Sequence, residues 1–206
     1  MPLKPLERAK SRLAAAVGAA RPELALAFAM DTVAGALACA SVRNVVVVTD
    51  DARAASELSA LGAGILADVA GGGLNAALAH GARAVRRDRP GAAVAAMNAD
   101  LPALRPDELR QVLEAASAFP RAFLADAAGI GTTLLSAAPG TELLPAFGGA
   151  SRDRHSASGA VEIPVAGVES VRRDVDTGAD LRAAALLGLG PRTAARWAAL
   201  AGPGRR

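Results

Sequence analysis

With 206 residues the chain has the length of one ordinary domain with a full core. Its 52% hydrophobic content excludes a disordered chain, and four Phe, one Trp and no Tyr leave too few rings for a single-strand nucleic-acid binder, which stacks bases on aromatic side chains. The net charge is +3, and Arg192, Arg196, Arg205 and Arg206 concentrate positive charge at the C-terminal end, where a solvated basic tail is the plain reading.

Met1 to Leu3 is the whole apolar segment ahead of Lys4-Pro5, so the first strand of an α/β domain is expected to be nearly absent or to start upstream. The N-terminus has no apolar h-region of a signal peptide, and no apolar run approaches the ~20 residues of a membrane span. The single cysteine, Cys39, has no internal disulfide partner and fits a reducing, cytoplasmic setting as a buried small residue. The pattern predicts a helix over Ala25 to Ala40 with Pro22 in its first turn. The β-branched run Asn44 to Thr49 reads as a strand buried on both faces. A helix over Asp51 to Leu61 ending at Gly62, a short strand over Gly64 to Ala67 and an amphipathic helix over Leu74 to Arg87 follow. Next come a strand over Ala92 to Met97, a helix over Pro106 to Ala118, and strands over Ala122 to Ala125, Thr132 to Ser136 and Val161 to Val165. Helices over Gly178 to Leu187 and Arg192 to Leu200 close the chain. Strands separated by helices imply βαβ units and a mostly parallel sheet, while the closer spacing of the later strands and the irregular stretch 137–159 suggest an antiparallel excursion.

Asp100 directly follows the Ala92–Met97 strand. Ligands of open α/β sheets bind beyond the carboxyl ends of strands, and a carboxylate there suits Mg²⁺, a hard cation that takes oxygen ligands. Capping of the next helix is the other use of such an Asp, disfavoured by the five residues between it and Pro106. In Arg172-Arg173-Asp174-Val175-Asp176-Thr177 the two carboxylates are two residues apart, so an extended segment presents both on one face. Asp176 or Thr177 also suits the N-cap of the following helix, whereas Asp174 has no such local use. Carboxylates from distant segments that meet at one point make sense around a cation; without one their repulsion raises a pKa.

Lys4, Lys10 and Arg12 lie just past the expected first strand, where positive groups suit triphosphate oxygens, although single basic residues are ordinarily solvated. Gly71-Gly72-Gly73-Leu74-Asn75 opens a helix, and its glycines permit close approach of backbone to a ligand; a plain flexible loop has the same composition. It is neither a phosphate loop nor a dinucleotide fingerprint. Gly129-Ile130-Gly131-Thr132-Thr133 and Phe147 to His155 carry hydroxyls, bare backbone N–H groups, and a His or Arg suited to an anionic substrate, or else form surface loops.

Taken in order, these segments resemble the guanylyltransferases that make the activated phospho-acid precursor of coenzyme F-420 from 2-phospho-L-lactate or, in actinobacteria, phosphoenolpyruvate. The matching stretches are Lys4-Pro5-Leu6 with Ala9 to Leu13, Gly73 to Leu78, Ala99 to Leu104, Gly131-Thr132, Phe147-Gly148 with Ser151 and His155, Ser158 to Ala160, and Asp174 to Thr177. The resemblance implies a single domain over 1–206 with a nucleotide-diphospho-sugar transferase-like, Rossmann-like fold, its mixed, mostly parallel sheet flanked by helices. It implies GTP as donor and Mg²⁺ as cofactor. It also implies Asp100, Asp174 and Asp176 as metal ligands, and Lys4, Lys10, Arg12, Leu74 and Asn75 as nucleotide contacts. Thr132, Gly148 and Ser151 would take the phospho-acid, and Lys10, Arg12 and Asp100 would carry catalysis. The Arg- and Ala-rich composition and the Gly190-Pro191-Arg192 tail are of an actinobacterial kind, which favours phosphoenolpyruvate. One alternative is a related nucleotidyltransferase acting on a sugar phosphate or molybdopterin, with the same metal site and a different Thr132–Ser151 region. Another is a catalytically inactive nucleotide-binding regulatory domain, against which the clustered carboxylates argue. The expected partners are GTP and the phospho-acid, with neither nucleic acid nor membrane, and a homodimer is left open.

Overall fold

In the computed structural model the described residues are 1–68 and 72–201, so Gly71 of the glycine run and the terminal Arg205 and Arg206 lie outside them. Met1 to Leu3 form a minimal strand edge: the Met1 amine donates to the Val46 carbonyl at 2.8 Å, Val48 N–H to Met1 at 2.8 Å and Leu3 N–H to Val48 at 2.9 Å. The chain then coils through 3-10 turns at Ser11–Leu13 and Gly18–Ala20 on either side of α1 (Ala14–Val17) and enters α2 (Arg21–Leu37). Pro22 starts α2, and its Ala- and Leu-rich faces bury ten residues, Leu24 to Ala29 among them. Cys39 is buried just beyond its end. Contrary to the expectation that no run is long enough, the helical stretch Ser11–Leu37 is long and apolar enough by length and composition to cross a membrane. The buried residues of this stretch lie mainly in α2, and Gly18, with φ 55°, interrupts it.

The β-branched triplet Val46–Val48 forms β1 and leads through α3 (Ala52–Ala60), N-capped by Asp51, to β2 (Gly64–Leu66), which pairs with β1 in parallel. Then follow α4 (Gly73–Asp88), β3 (Val94–Met97), α5 (Pro106–Ala116), β4 (Arg121–Ala125) and β5 (Thr132–Ala137). A second ladder has the order β3-β5-β4-β6, with β6 only Val161–Glu162. β5 runs antiparallel to both β3 and β4, and β6 is parallel to β4. The antiparallel excursion is therefore β5 itself, inserted within the sheet. The stretch 137–159, irregular by its sequence pattern, contains the short helix α6 (Ser151–Ala157), and α7 (Glu169–Arg172) precedes the acidic pair. Helices α8 (Gly178–Leu187) and α9 (Pro191–Ala201) finish the described chain.

A mostly apolar cavity of about 620 Å³ lies away from Asp100, Asp174 and Asp176. Met1 and β1 bound it on one side, β3 on another, and α4 and α5 close it above and below. No ladder joins β1 to β3 among the described residues.

Candidate active site

Hydrogen bonds donated by Leu101, Val175 and Arg172 bring the acidic segments together. Leu101 N–H donates to Thr32 Oγ1 of α2 at 2.9 Å, fixing the turn after β3. Val175 N–H donates to the Asp100 carbonyl at 3.1 Å, which lays the 174–176 segment alongside Asp100. Arg172 pins the same segment to the sheet, donating to the carbonyls of Ala125 at 2.8 Å and Val165 at 3.0 Å. The capping ambiguity resolves in favour of Thr177. It forms a capping box with Asp180, whose carboxylate accepts from Thr177 N–H at 2.8 Å. That leaves the Asp176 carboxylate free to face Lys10. Asp100 caps no helix either, since α5 begins behind Arg105 with Pro106 in its first turn.

Lys10 holds the centre of this cluster. Its ammonium donates to Asp100 and, at 2.7 Å, to Asp176 Oδ1. Arg12 stands outside it, 3.7 Å from Asp176 Oδ2 and largely exposed. Lys10 takes the left-handed conformation, φ 55° and ψ 42°, which a non-glycine residue adopts only when its surroundings hold it there. The three-way ionic contact supplies that hold. Burial alone would lower the Lys10 pKa, but the two carboxylates more than offset it and hold the ammonium above its ordinary range. Burial tends to raise Asp176, and Lys10, Arg12 and Lys4 pull it below the usual value. Asp174 has the opposite fate: burial first, then the charges of Asp100 and Asp176, push it up to about 7. Asp100 Oδ1 is buried with no hydrogen-bond partner in the structure. Among the described residues no three acidic, His or Cys side chains stand ready as a closed ligand set, and the Lys10 ammonium bridges Asp100 and Asp176. An orphaned carboxylate oxygen beside a carboxyl raised by its neighbours is nevertheless the donor chemistry a hard divalent cation takes.

The second group of predicted residues gathers at the start of β5, the end of that strand next to the turn after β3, where Asn98 N–H donates to the Thr133 carbonyl at 3.0 Å. Asp126 accepts from Ile130 N–H at 3.0 Å and Gly131 N–H at 2.9 Å, closing the β4–β5 turn. A Cβ at Gly131 would meet that carboxylate, so a larger residue there would push Asp126 out of its bonds to the turn. Arg152 of α6 reaches back to this turn, its backbone N–H to Ile130 at 3.1 Å and its guanidinium to Gly129 at 3.0 Å. Thr132 and Ser151 therefore come to one place, both buried, with Gly148 exposed beside them at φ 97°. His155, read from sequence as a group for an anionic substrate, is fully buried and bonded at both ring nitrogens within the protein.

Two predicted nucleotide contacts have structural employment here. The Asn75 amide bonds both ways to the backbone of Phe147, accepting at 2.8 Å and donating at 3.1 Å, and so holds the 147–148 segment. Leu74 packs against the cluster around Phe123 and Leu135. Lys4 is exposed. Thr32, Asp126 and Glu108 escape sequence reasoning. The buried Glu108 takes the N–H of Ser170 at 2.8 Å and an Arg105 guanidinium at 3.0 Å, fixing α7 on α5. A polar residue on the apolar face of a predicted helix was the available signal for Thr32.

Residues 13–162 match the MobA-like NTP transferase domain. The chain is 69% identical over 196 residues to the phosphoenolpyruvate guanylyltransferase of Streptomyces coelicolor, covering 95% of this chain and 92% of that one. It is 60% identical over 195 residues to the enzyme of the same name from Thermomonospora curvata, covering 95% and 86% of the two chains. Its fold is similar to that of a candidate nucleotide-diphospho-sugar transferase from Desulfovibrio desulfuricans G20, with TM-score 0.57 at 14% identity over 90% of this chain and 94% of that one. It is similar also to a CMP:2-keto-3-deoxy-manno-octonic acid synthetase solved with CTP, with TM-score 0.53 at 17% identity over 90% and 95%. A carboxylate turn at the end of β3, an acidic pair laid against it and near-full-length identity to these relatives all agree: the chain belongs to the MobA-like NTP transferases and, within them, to the phosphoenolpyruvate guanylyltransferase family.

Proposed function

We propose that the protein transfers GMP from GTP to phosphoenolpyruvate with release of pyrophosphate, as a cytoplasmic step toward the coenzyme F-420 precursor. The observation that carries the reading is the convergence of Asp100, Asp174 and Asp176 with Lys10 at the end of β3, where an NTP transferase needs charge control. Asp100, Asp174 and Asp176 would hold Mg²⁺, which when bound supplies positive charge to the phosphates. The acceptor phosphate is already ionised at neutral pH. Its oxygen attacks the α-phosphorus of GTP as the bond to pyrophosphate breaks, so no side-chain base is required. Lys10 and Arg12 would hold the departing pyrophosphate, and Thr132, the Gly148 N–H and Ser151 would orient the phospho-acid. Catalysis then consists of positioning and charge stabilisation.

The test is pyrophosphate release by the purified protein with Mg²⁺ and each of the four common NTPs, offered phosphoenolpyruvate, 2-phospho-L-lactate or a sugar phosphate. Release is expected with GTP and phosphoenolpyruvate. Preference for a sugar phosphate, or no release with any pair, would overturn the proposal.

A further inference from the structure

His155 is fully buried, and both of its ring nitrogens are in use. The backbone N–H of Ala146 donates to Nε2 at 3.0 Å, and a nitrogen that accepts a hydrogen bond carries no proton. A neutral imidazole has one N–H, so that proton sits on Nδ1, which faces Thr132 Oγ1 at 2.9 Å. The Thr132 hydroxyl is therefore the acceptor of that bond, and its own proton is left to point elsewhere. The ring cannot easily turn: Phe123 and Phe147 flank it with centroids 5.7 and 5.1 Å away. Burial, together with Arg154 and Arg121, lowers its pKa from 6.5 to about 4, so it stays neutral at physiological pH.

We propose that His155 is a positioning residue for the acceptor: it sets the Thr132 hydroxyl as a donor toward a substrate oxygen and ties the segment bearing Gly148 to β5. The proposal rests on the reading that Thr132, Gly148 and Ser151 take the phospho-acid. The same segment is held from its far side by Asn75 on α4, so the acceptor loop is clamped between two polar side chains. Neither clamp needs to touch the substrate.

The first readout is the tautomer. Imidazole ¹⁵N spectra of the full chain contain two histidines, and His80→Gln identifies the other one. At neutral pH His155 is expected to be protonated at Nδ1 and bare at Nε2; a proton on Nε2 would overturn the proposal. The second readout is kinetic. His155→Gln can present an oxygen to Ala146 N–H but leaves nothing at Nδ1. It is expected to lower kcat/KM for phosphoenolpyruvate about tenfold or more, mainly through KM, while KM for GTP moves by less than about twofold. Thr132→Val should do the same, and adding His155→Gln to it should cost little more, because both act on one hydroxyl. Full additivity, or equal losses toward GTP and phosphoenolpyruvate, would sink the positioning role. Should His155→Gln fail to fold, the spectrum and Thr132→Val still decide the matter. A wild-type protein inactive with every phospho-acid would count against the functional reading, with the tautomer still readable.

Discussion

Asp100 joins the Lys10 ammonium to the 174–176 segment, and its substitution separates charge from shape. Asp100→Asn keeps the outline of the side chain while leaving Lys10 with Asp176 as its remaining partner. Turnover is expected to fall by a factor on the order of 10² or more, the loss typical of a deleted electrostatic contact in an active site; near wild-type turnover at saturating Mg²⁺ would contradict the assignment. Asp174 predicts a pH dependence instead. Its carboxyl is raised from 3.8 to about 7, so the folded protein holds a proton that the unfolded chain releases near pH 4. The stabilisation is complete below the unfolded pKa and fades as pH climbs toward 7. With chelator present, Asp174→Asn should therefore gain stability over wild type between about pH 4 and 8, by something on the order of 1 kcal/mol, since Lys10 lies close enough to moderate the repulsion. Thermal melts across that range check it, and a constant difference between the two proteins would refute it. The carboxylates were legible as a site because Asp174 and Asp176 share a period-two spacing. The left-handed backbone of Lys10 was not, because its side-chain partners lie 90 and 166 residues away.

At the scale of elements, the acceptor region shows where sequence patterning loses its grip. The helix α6 has seven residues, follows two glycines and is rich in Ser, Arg and Asp, so it has neither the length nor the apolar stripe that marks a helix. Its position is set by tertiary bonds, Arg152 to the 129–130 turn and His155 to Thr132. The four-residue α7 was missed for the same reason. By contrast, the short connection between β4 and β5 was informative. A parallel crossover needs about a dozen residues or more, and the six between Ala125 and Thr132 allow only a hairpin. Ser151 tests the division of labour that this geometry suggests. Ser151→Ala removes one donor to a charged oxygen, worth about 1.5–3 kcal/mol, or roughly 10- to 100-fold. The loss is expected in kcat/KM for phosphoenolpyruvate, with GTP affinity little changed. If steady-state kinetics place the loss on GTP instead, residues 147–155 belong to the nucleotide.

Across the described residues the sheet consists of two ladders, with an apolar cavity lined by β1 and β3. Apart from α6 and α7, the alternation of strands and helices was legible along the chain, yet the pattern of apolar residues does not say which strand lies beside which. Met1 to Leu3 engage β1 for three residues, and Pro2 and Pro5 have no N–H to extend that pairing. Behind Met1 lies the apolar cavity of about 620 Å³ between β1 and β3, roofed and floored by α4 and α5. The Met1 amine is buried at its mouth against the Val46 carbonyl, and burial lowers its pKa from 8.0 to about 5. A peptide N–H in the same place would make that bond without any charge to desolvate. A strand of about six apolar residues joined ahead of Met1 would continue from its pairing with β1 into the cavity beside β3. Each side chain it buries contributes about 1.5–3 kcal/mol, against about 1–2 kcal/mol per residue for fixing the backbone. With hydrogen bonds to β1 and β3 added, a net gain of a few kcal/mol is expected, which for a chain of this size raises Tm by roughly 5 °C or more. The control is an extension of equal length that alternates Pro with Lys, which can neither pair nor bury. A higher Tm for the apolar extension alone, with the cavity-facing Ala95 amide newly protected from hydrogen exchange, supports a vacant strand position. Equal melting temperatures for the two extensions and the parent chain would mean that β1 and β3 close on each other in solution.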